Sequence, residues 1–337
     1  MPAIDTAIEQ DYSHCGYRLG VLNAAAKPNK SASVSVVIVT HNNRDLIGDC
    51  LTATFGAVRD SAAEVIVVDN ASTDGTPDVI RAGQWHVDVI ALRTNMGFAE
   101  AVNRARSSAA GRYLVLVNSD AFPDGGCIDA LVNMLDNGPR VGIVGARLRY
   151  PSGRPQPSAG TFPSLLGTLW VALFLHRVPG LSRLGIGYLA DSRLYRSPRR
   201  VDWVSAAVCA ARIEIGPMPT SSFMYGEDVE WALASREAGY EVWIEPAATA
   251  VHIGRASVDD SQDVGFAQRR RAEFELAWFR RRGGPAPLVA RVNLVVHGVM
   301  RLLIYAVLSL LHRRRDTRMR EYAALVRASL SDRVFKR

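Results

Sequence analysis

Lysine is almost missing from this 337-residue chain: only Lys27, Lys30 and Lys336 occur, and the other 37 of its 40 basic residues are arginine. With abundant alanine, that skew reads as a GC-rich coding bias rather than a functional signal. Cysteine is scarce and scattered. Cys15, Cys50, Cys127 and Cys209 form no C-x-x-C pair, which argues against a zinc site or a disulfide framework and fits a reducing cytoplasm. No G-x-G-x-x-G occurs; the one G-x-G, Gly185-Ile186-Gly187, runs on into Tyr188-Leu189-Ala190. No lysine follows a glycine, so the chain has no P-loop either, and ordinary dinucleotide-binding and NTPase readings are weak. Residues 1–32 carry Asp5, Glu9 and Asp11 before any apolar run, and are read as a flexible extension without a secretory signal.

What is there belongs to a globular protein: 48% hydrophobic and 22% charged residues, enough to bury one large core with an appendage. The charge is uneven. From His252 onward there are 18 basic and 8 acidic residues, a net of +10, against +7 for the whole chain. The C-terminal third is thus the positive surface, suited to an anionic membrane; no aromatic-basic platform or reading helix accompanies it, which argues against nucleic acid.

Tyr113–Val117 is an unbroken apolar run that stops on Asn118-Ser119-Asp120, the pattern of a strand buried on both faces. Similar runs occur at Val34–Val39, Glu64–Val68, Val87–Leu92 and Val141–Val144. Helical stretches alternate with them at Arg44–Phe55, from an N-cap at Thr76, from Phe98 to about Ala109, and at Ile128–Leu135. That alternation predicts an α/β fold with a doubly wound, mostly parallel sheet, its site outside the carboxyl ends of the strands. Those ends carry Asn42, Asn43, Asp69, Asn95, Asn118 and Asp120. A diphosphate would be repelled by such carboxylates unless a divalent cation lay between, so the pattern points to a nucleotide diphosphate held through Mg2+ or Mn2+.

The blocks VSVVIVTHNN, VIVVDNASTDGT, RTNMGFAEAVN, LVNSD, VDWVSAA, FMYGEDVEWAL and VHIGRAS stand in the order seen in glycosyltransferase family 2. The chain resembles that family over residues 33–257, with a flavour of bacterial rhamnosyltransferases of cell-wall and polysaccharide assembly. The resemblance implies a glycosyltransferase-A fold, with a nucleotide-sugar half at 33–150, an acceptor half at 151–257 and a basic helical extension at 258–337. It implies that Asp69 meets the pyrimidine ring, where an acceptor-only carboxylate suits the ring N–H. Thr40, Asn42, Asn95 and Asn118 would join it in nucleotide-sugar binding, and Trp203 would abut the sugar or acceptor. Asp120 would ligate the metal, with His252 completing the shell. In Glu227-Asp228, Asp228 would be the catalytic base. Each has a blander reading as a helix cap, a turn residue or a core contact, Asn103 included. The chain also departs from the family pattern: asparagine stands at 118 where an aspartate is usual, Ala206 replaces a glycine, and Ala234 replaces an arginine although Arg236 is near.

Leu288–Leu311 is nearly all apolar but for Arg291 near its start and Asn293, His297, Arg301 and Ser309. Arg301 near its middle makes a full bilayer crossing costly, by about 2.5–3.5 kcal/mol. A helix lying in the interface is preferred, with Arg313, Arg314, Arg315, Arg318 and Arg320 against headgroups; a hairpin packed on the catalytic domain or a second copy is the alternative. Leu165–Leu175 is too short to span and is read as shaping an acceptor entrance. Together these expectations describe a metal-dependent, inverting enzyme at the inner face of the plasma membrane. It would move rhamnose from dTDP-rhamnose to a lipid-linked or polysaccharide hydroxyl, the alternatives being galactofuranose or N-acetylglucosamine transfer, or a silent binding module.

Overall fold

A computed structural model describes residues 18–19, 33–59, 63–178, 180–184, 186, 195–221, 225–254, 265–312 and 318–331. The extension at 1–32 lies outside the described residues except for β1 (Arg18–Leu19), which pairs parallel with β4. Arg313–Arg315, Met224 and the end of the VHIGRAS block also lie outside them.

The first half alternates as the apolar runs demand: β2 (Val34–Thr40), α1 (Arg44–Gly56), β3 (Ala63–Asp69), α2 (Thr76–Ala82), β4 (Asp88–Ala91), α3 (Phe98–Arg106), β5 (Tyr113–Asn118), β6 (Ala121–Pro123), α4 (Cys127–Asn137) and β7 (Val141–Arg149). The second half adds β8 (Pro155–Gln156), β9 (Ala159–Gly160), α5 (Leu165–Ala172), β10 (Arg199–Val201), β11 (Trp203–Val204), β12 (Val208–Arg212), α6 (Glu227–Glu237), β13 (Glu241–His252), α7 (Phe266–Arg280), α8 (Ala286–His312) and α9 (Arg318–Leu330).

The main sheet runs β1-β4-β3-β2-β5-β12-β7-β13-β10. The chain builds outward from β2 to β3 and β4, then crosses back to lay β5 on the other side of β2, so the crevice at the switch point opens over the ends of β2 and β5. β5 is buried from Tyr113 to Val117, with Leu114 and Leu116 in one core beside Val37, Ile66 and Val68, and Tyr113, Val115 and Val117 in the other beside Val36 and Ile38. A departure from the parallel reading lies next to it. β12 is inserted antiparallel between β5 and β7, and β10 runs antiparallel to β13. The helix read as starting from a Thr76 N-cap is instead preceded by Gly75 at φ 90°; Thr76 is its first residue and gives both its N–H (2.9 Å) and its hydroxyl (2.6 Å) to Asp74.

α8 is 27 residues long, and Ala286–Val307 has the length and mean hydropathy (1.5) of a membrane span. It packs against α5, α7 and α9 instead of standing away from the domain. Its polarity is inverted. Asn293, His297 and Arg301 are buried, whereas Leu288, Val292, Val299, Leu303 and Val307 are exposed. The polar side is occupied: Asn293 donates to Leu165 O (2.9 Å) and Thr168 Oγ1 (2.8 Å), and the Arg301 guanidinium lies 3.9 Å from the centre of the Phe174 ring.

Close approach of β2 and the turn before β5 requires Gly111, where a Cβ would lie 2.5 Å from Ser35 N and 2.6 Å from Val34 C. Those are backbone atoms of a central strand and cannot swing away. Gly111→Ala is expected to cost about 1–3 kcal/mol, read as a lower urea midpoint with an unchanged slope.

Candidate active site

The crevice over β2 and β5 holds a cavity of about 280 Å³. His41 enters it from the end of β2, Asn70 from the end of β3, Asn95 from the loop before α3, and Asn118, Ser119 and Asp120 from the end of β5. Opposite them stand Ala206 and Ala207 before β12, and Gly226, Glu227 and Asp228 at the start of α6.

His252 reaches Asp120 across 132 positions of sequence because β6 pairs antiparallel with the end of β13, His252 opposite Ala121, while Ile253 N–H donates to Asp120 O at 3.0 Å. The side chains meet with His252 Nε2 3.3 Å from Asp120 Oδ1. On the other side of the ring, Nδ1 lies 3.0 Å from Gln156 Oε1. An Nδ1–H given to Gln156 leaves the Nε2 lone pair turned toward Asp120, the arrangement that orients a histidine for a cation. Beside it, Asn118 Oδ1 is buried with no partner among the described residues. The donor set, one carboxylate, one imidazole and one amide oxygen, fits a divalent ion that takes its other ligands from diphosphate and water. No group of three or more His, Cys, Asp or Glu converges among the described residues, so the protein alone offers an ion little.

Asp228 stands at the first turn of α6. Its carboxylate accepts Val229 N–H at 2.9 Å and is also bonded by the backbone of Ala206, which ties it to the strand facing Asn118. Burial nonetheless raises its pKa well above the usual carboxylate range, these backbone bonds opposing the rise. Glu227 is raised further, first by burial and then by the charge of Asp228. Its Oε2 is buried without a partner among the described residues, beside the Asp228 carboxylate. Glu230 is bound instead by Ser221 and Arg281, which removes it as a base. Gly226, at φ 99°, lies so close against the Phe274 ring of α7 that no side chain fits there.

A second, larger cavity of about 430 Å³ adjoins the first and shares Tyr225, Gly226, Asp228 and His252 with it. Its walls are Phe162, Trp203, Gly167 and Val171 of the α5 region, and Ala267, Gln268, Arg271 and Phe274 of α7.

Of the residues singled out from sequence, Asn95, Asn118, Asp120, Glu227, Asp228 and His252 line the first cavity, and Trp203 lines the second. Thr40, Asn42 and Asp69 line neither. Asp69 accepts Ser72 N–H at 3.2 Å, and burial raises its pKa although the Ser72 bonds oppose it. Asn42, at φ 51°, accepts Thr73 N–H at 2.8 Å. Asn103 trades two 2.8 Å bonds with the backbone of Met218. Sequence reading missed His41, Gln156 and Asn70. Asn70 holds the Asn95 loop by donating to Asn95 Oδ1 (2.9 Å) and accepting Met96 N–H (2.9 Å), a role its place in the Asp69–Thr76 block could have suggested. Arg236 meets Asp202 at 3.2 Å rather than either cavity.

Because only ionised Asp228 can accept a proton, turnover is expected to fall as pH drops through its raised pKa. The acid limb of kcat then lies above the ordinary carboxylate range. A pH–rate profile checks this, and Asp228→Asn should lack that limb while keeping nucleotide affinity.

Residues 35–183 match the family model described as Glycosyl transferase family 2. The N-acetylglucosaminyl-diphospho-decaprenol L-rhamnosyltransferase of Mycobacterium tuberculosis is 29% identical over 218 residues, covering 59% of this chain and 69% of that protein. A putative teichuronic acid biosynthesis glycosyltransferase of Bacillus subtilis is 38% identical over 93 residues, 26% of this chain and 35% of that one. Among solved structures, a mannosyltransferase of Pyrobaculum calidifontis in complex with GDP-Man and Mn2+ superposes with a TM-score of 0.55 at 18% identity, over 92% of this chain and 90% of that one. The mixed sheet, the crevice at its switch point and the superposition show a glycosyltransferase-A fold, and the match of residues 35–183 to glycosyl transferase family 2 with the rhamnosyltransferase relative marks the protein as a glycosyltransferase.

Proposed function

We propose that the protein transfers a sugar, with inversion, from a nucleotide diphosphate in the smaller cavity to a hydroxyl presented in the larger one. The observation that carries this reading is that the two cavities share Asp228. A sugar hydroxyl is a poor nucleophile at neutral pH. Asp228, partly buried and held by two backbone groups, takes its proton as the oxygen attacks the anomeric carbon from the face opposite the diphosphate, a role worth about 10²–10⁴-fold. dTDP-rhamnose is the favoured donor and a lipid-linked or polysaccharide hydroxyl the favoured acceptor, because the Mycobacterium tuberculosis relative is named for rhamnosyl transfer to a diphospho-decaprenol carrier.

Asp120 and His252, with Asn118 beside them, are the residues that would hold Mn2+ or Mg2+. Such an ion offsets charge on the departing diphosphate. The imidazole favours manganese, which the Pyrobaculum mannosyltransferase was solved with. Since the protein offers so few ligands, calorimetry should find dTDP binding tightly with manganese, weakly with EDTA, and weakly in Asp120→Asn under both conditions. Equal affinity with and without the metal would remove this role from Asp120 and His252.

The enzyme works at the inner face of the plasma membrane, resting on the exposed face of α8. A helix that buries Asn293, His297 and Arg301 while exposing Leu288, Val292, Val299, Leu303 and Val307 suits an apolar medium on its outer side. Exposed Arg318 and Arg320 at the start of α9 add the charge for anionic headgroups. The full chain should float with anionic liposomes, and Val292→Asp with Leu303→Asp should reduce the bound fraction about tenfold without loss of the folded signal. Unchanged flotation together with loss of a dimer would assign this face to a second copy instead.

A further inference from the structure

The larger cavity has an unassigned wall in α7, beyond both the matched domain and the residues that resemble the family. α7 is integral to the domain: Ala272, Phe274, Leu276, Trp278 and Phe279 join the same core as Trp203 and Val204. On the cavity side it carries Gln268, Arg271 and Glu275. Arg271 and Glu275 satisfy each other, Nε to Oε1 at 3.0 Å. Gln268 is different. It is 8% exposed, lines the cavity, and its amide has no hydrogen-bond partner among the described residues. Neither amide atom is fully buried, so the group keeps an open side, and among the described residues the cavity it lines is where a partner can meet it.

We infer that Gln268 is an acceptor-recognition residue, and that the larger cavity takes a neutral sugar ring whose hydroxyl pairs with the Gln268 amide. The inference rests on the transferase reading above, and three features favour this ligand. Trp203 and Phe162 supply flat apolar walls of the kind that meet the C–H face of a pyranose, and the Trp203 indole N–H is already given to Thr161 O at 3.0 Å. The charged groups oppose an anion: Asp228 and Glu275 stand against Arg271, which Glu275 already neutralises. Any phosphate of the acceptor therefore lies outside the cavity. The route out is in place, because α5 contributes Gly167, Thr168 and Val171 to the cavity while Leu166 and Leu173 of the same segment are exposed beside α8. A ring in the cavity and an apolar carrier along α5 and α8 make one continuous acceptor path.

The test uses the full chain with octyl N-acetylglucosaminide as probe, followed by saturation-transfer NMR, with dTDP affinity measured alongside. The wild type should bind the glycoside through its ring protons. Gln268→Leu should bind it about three- to tenfold more weakly, the worth of one neutral hydrogen bond, with dTDP affinity unchanged. Should the leucine variant fold poorly, Gln268→Glu, which keeps the shape and loses the N–H donor, should show the same direction. Equal glycoside affinity in wild type and variants, or no glycoside binding by the wild type, overturns the inference. Failure of the wild type to bind dTDP in the presence of manganese would instead count against the transferase reading, and the glycoside measurement stays interpretable on its own.

Discussion

The pairing of β6 with the end of β13 holds the chemistry together. Asp120 leaves the central strand in the first half of the chain, and His252 arrives in the second. Three register pairs, with the Ile253 N–H to Asp120 O bond, bring them to 3.3 Å. Without that ladder Asp120 would lose the imidazole that stands against it, leaving His41 as the other histidine of the smaller cavity. Its geometry is backbone geometry, so it is stiffer than any side-chain contact in the site, and Gln156 then sets which ring nitrogen faces the carboxylate.

The first turn of α6 carries Glu227, Asp228 and Glu230, and the fold treats each differently. Glu230 is paired with Arg281, the Glu227 pKa is raised first by burial and then by Asp228, and Asp228 is raised by burial with backbone groups of Val229 and Ala206 opposing the rise. The N-terminus of α6 adds its dipole to that support. These three carboxyls thus sit in different surroundings, and Asp228 combines a raised pKa with access to both cavities. Gly226 and Phe274 fix where that group stands, so the position of the base depends on a helix far downstream in sequence.

Much of this was legible in the chain because buried parallel strands are written in unbroken apolar runs. Val34–Val39 and Tyr113–Val117 could be little else, and the polar residues that stop the latter line the cavity. β12 was harder. VCAAR is short and carries small residues, and nothing local says that it runs against its neighbours between β5 and β7. The polar block from Asp69 to Thr76 misled in a different way. Asp69, Asn42, Ser72 and Asp74 spend their side chains on one another's backbones, leaving Asn70 and His41 to face the cavity, and composition cannot tell a ligand from a turn-maker in so dense a cluster. Gln268 was invisible because a lone glutamine on an amphipathic helix reads as a solvated position until the fold puts a cavity beside it.

The antiparallel insertion of β12 also sets a timetable for synthesis. β5 is buried from Tyr113 to Val117, yet the edge that β12 covers stays open until Arg212 has been made, roughly 90 residues after Asn118. At about 5–20 residues per second, that is on the order of 5–20 s during which the nascent donor half carries an uncovered apolar strand. Such an edge is a template for wrong pairing. Between those two points on the ribosome, slower elongation prolongs the exposure of that edge and a chaperone that shields strand edges shortens it.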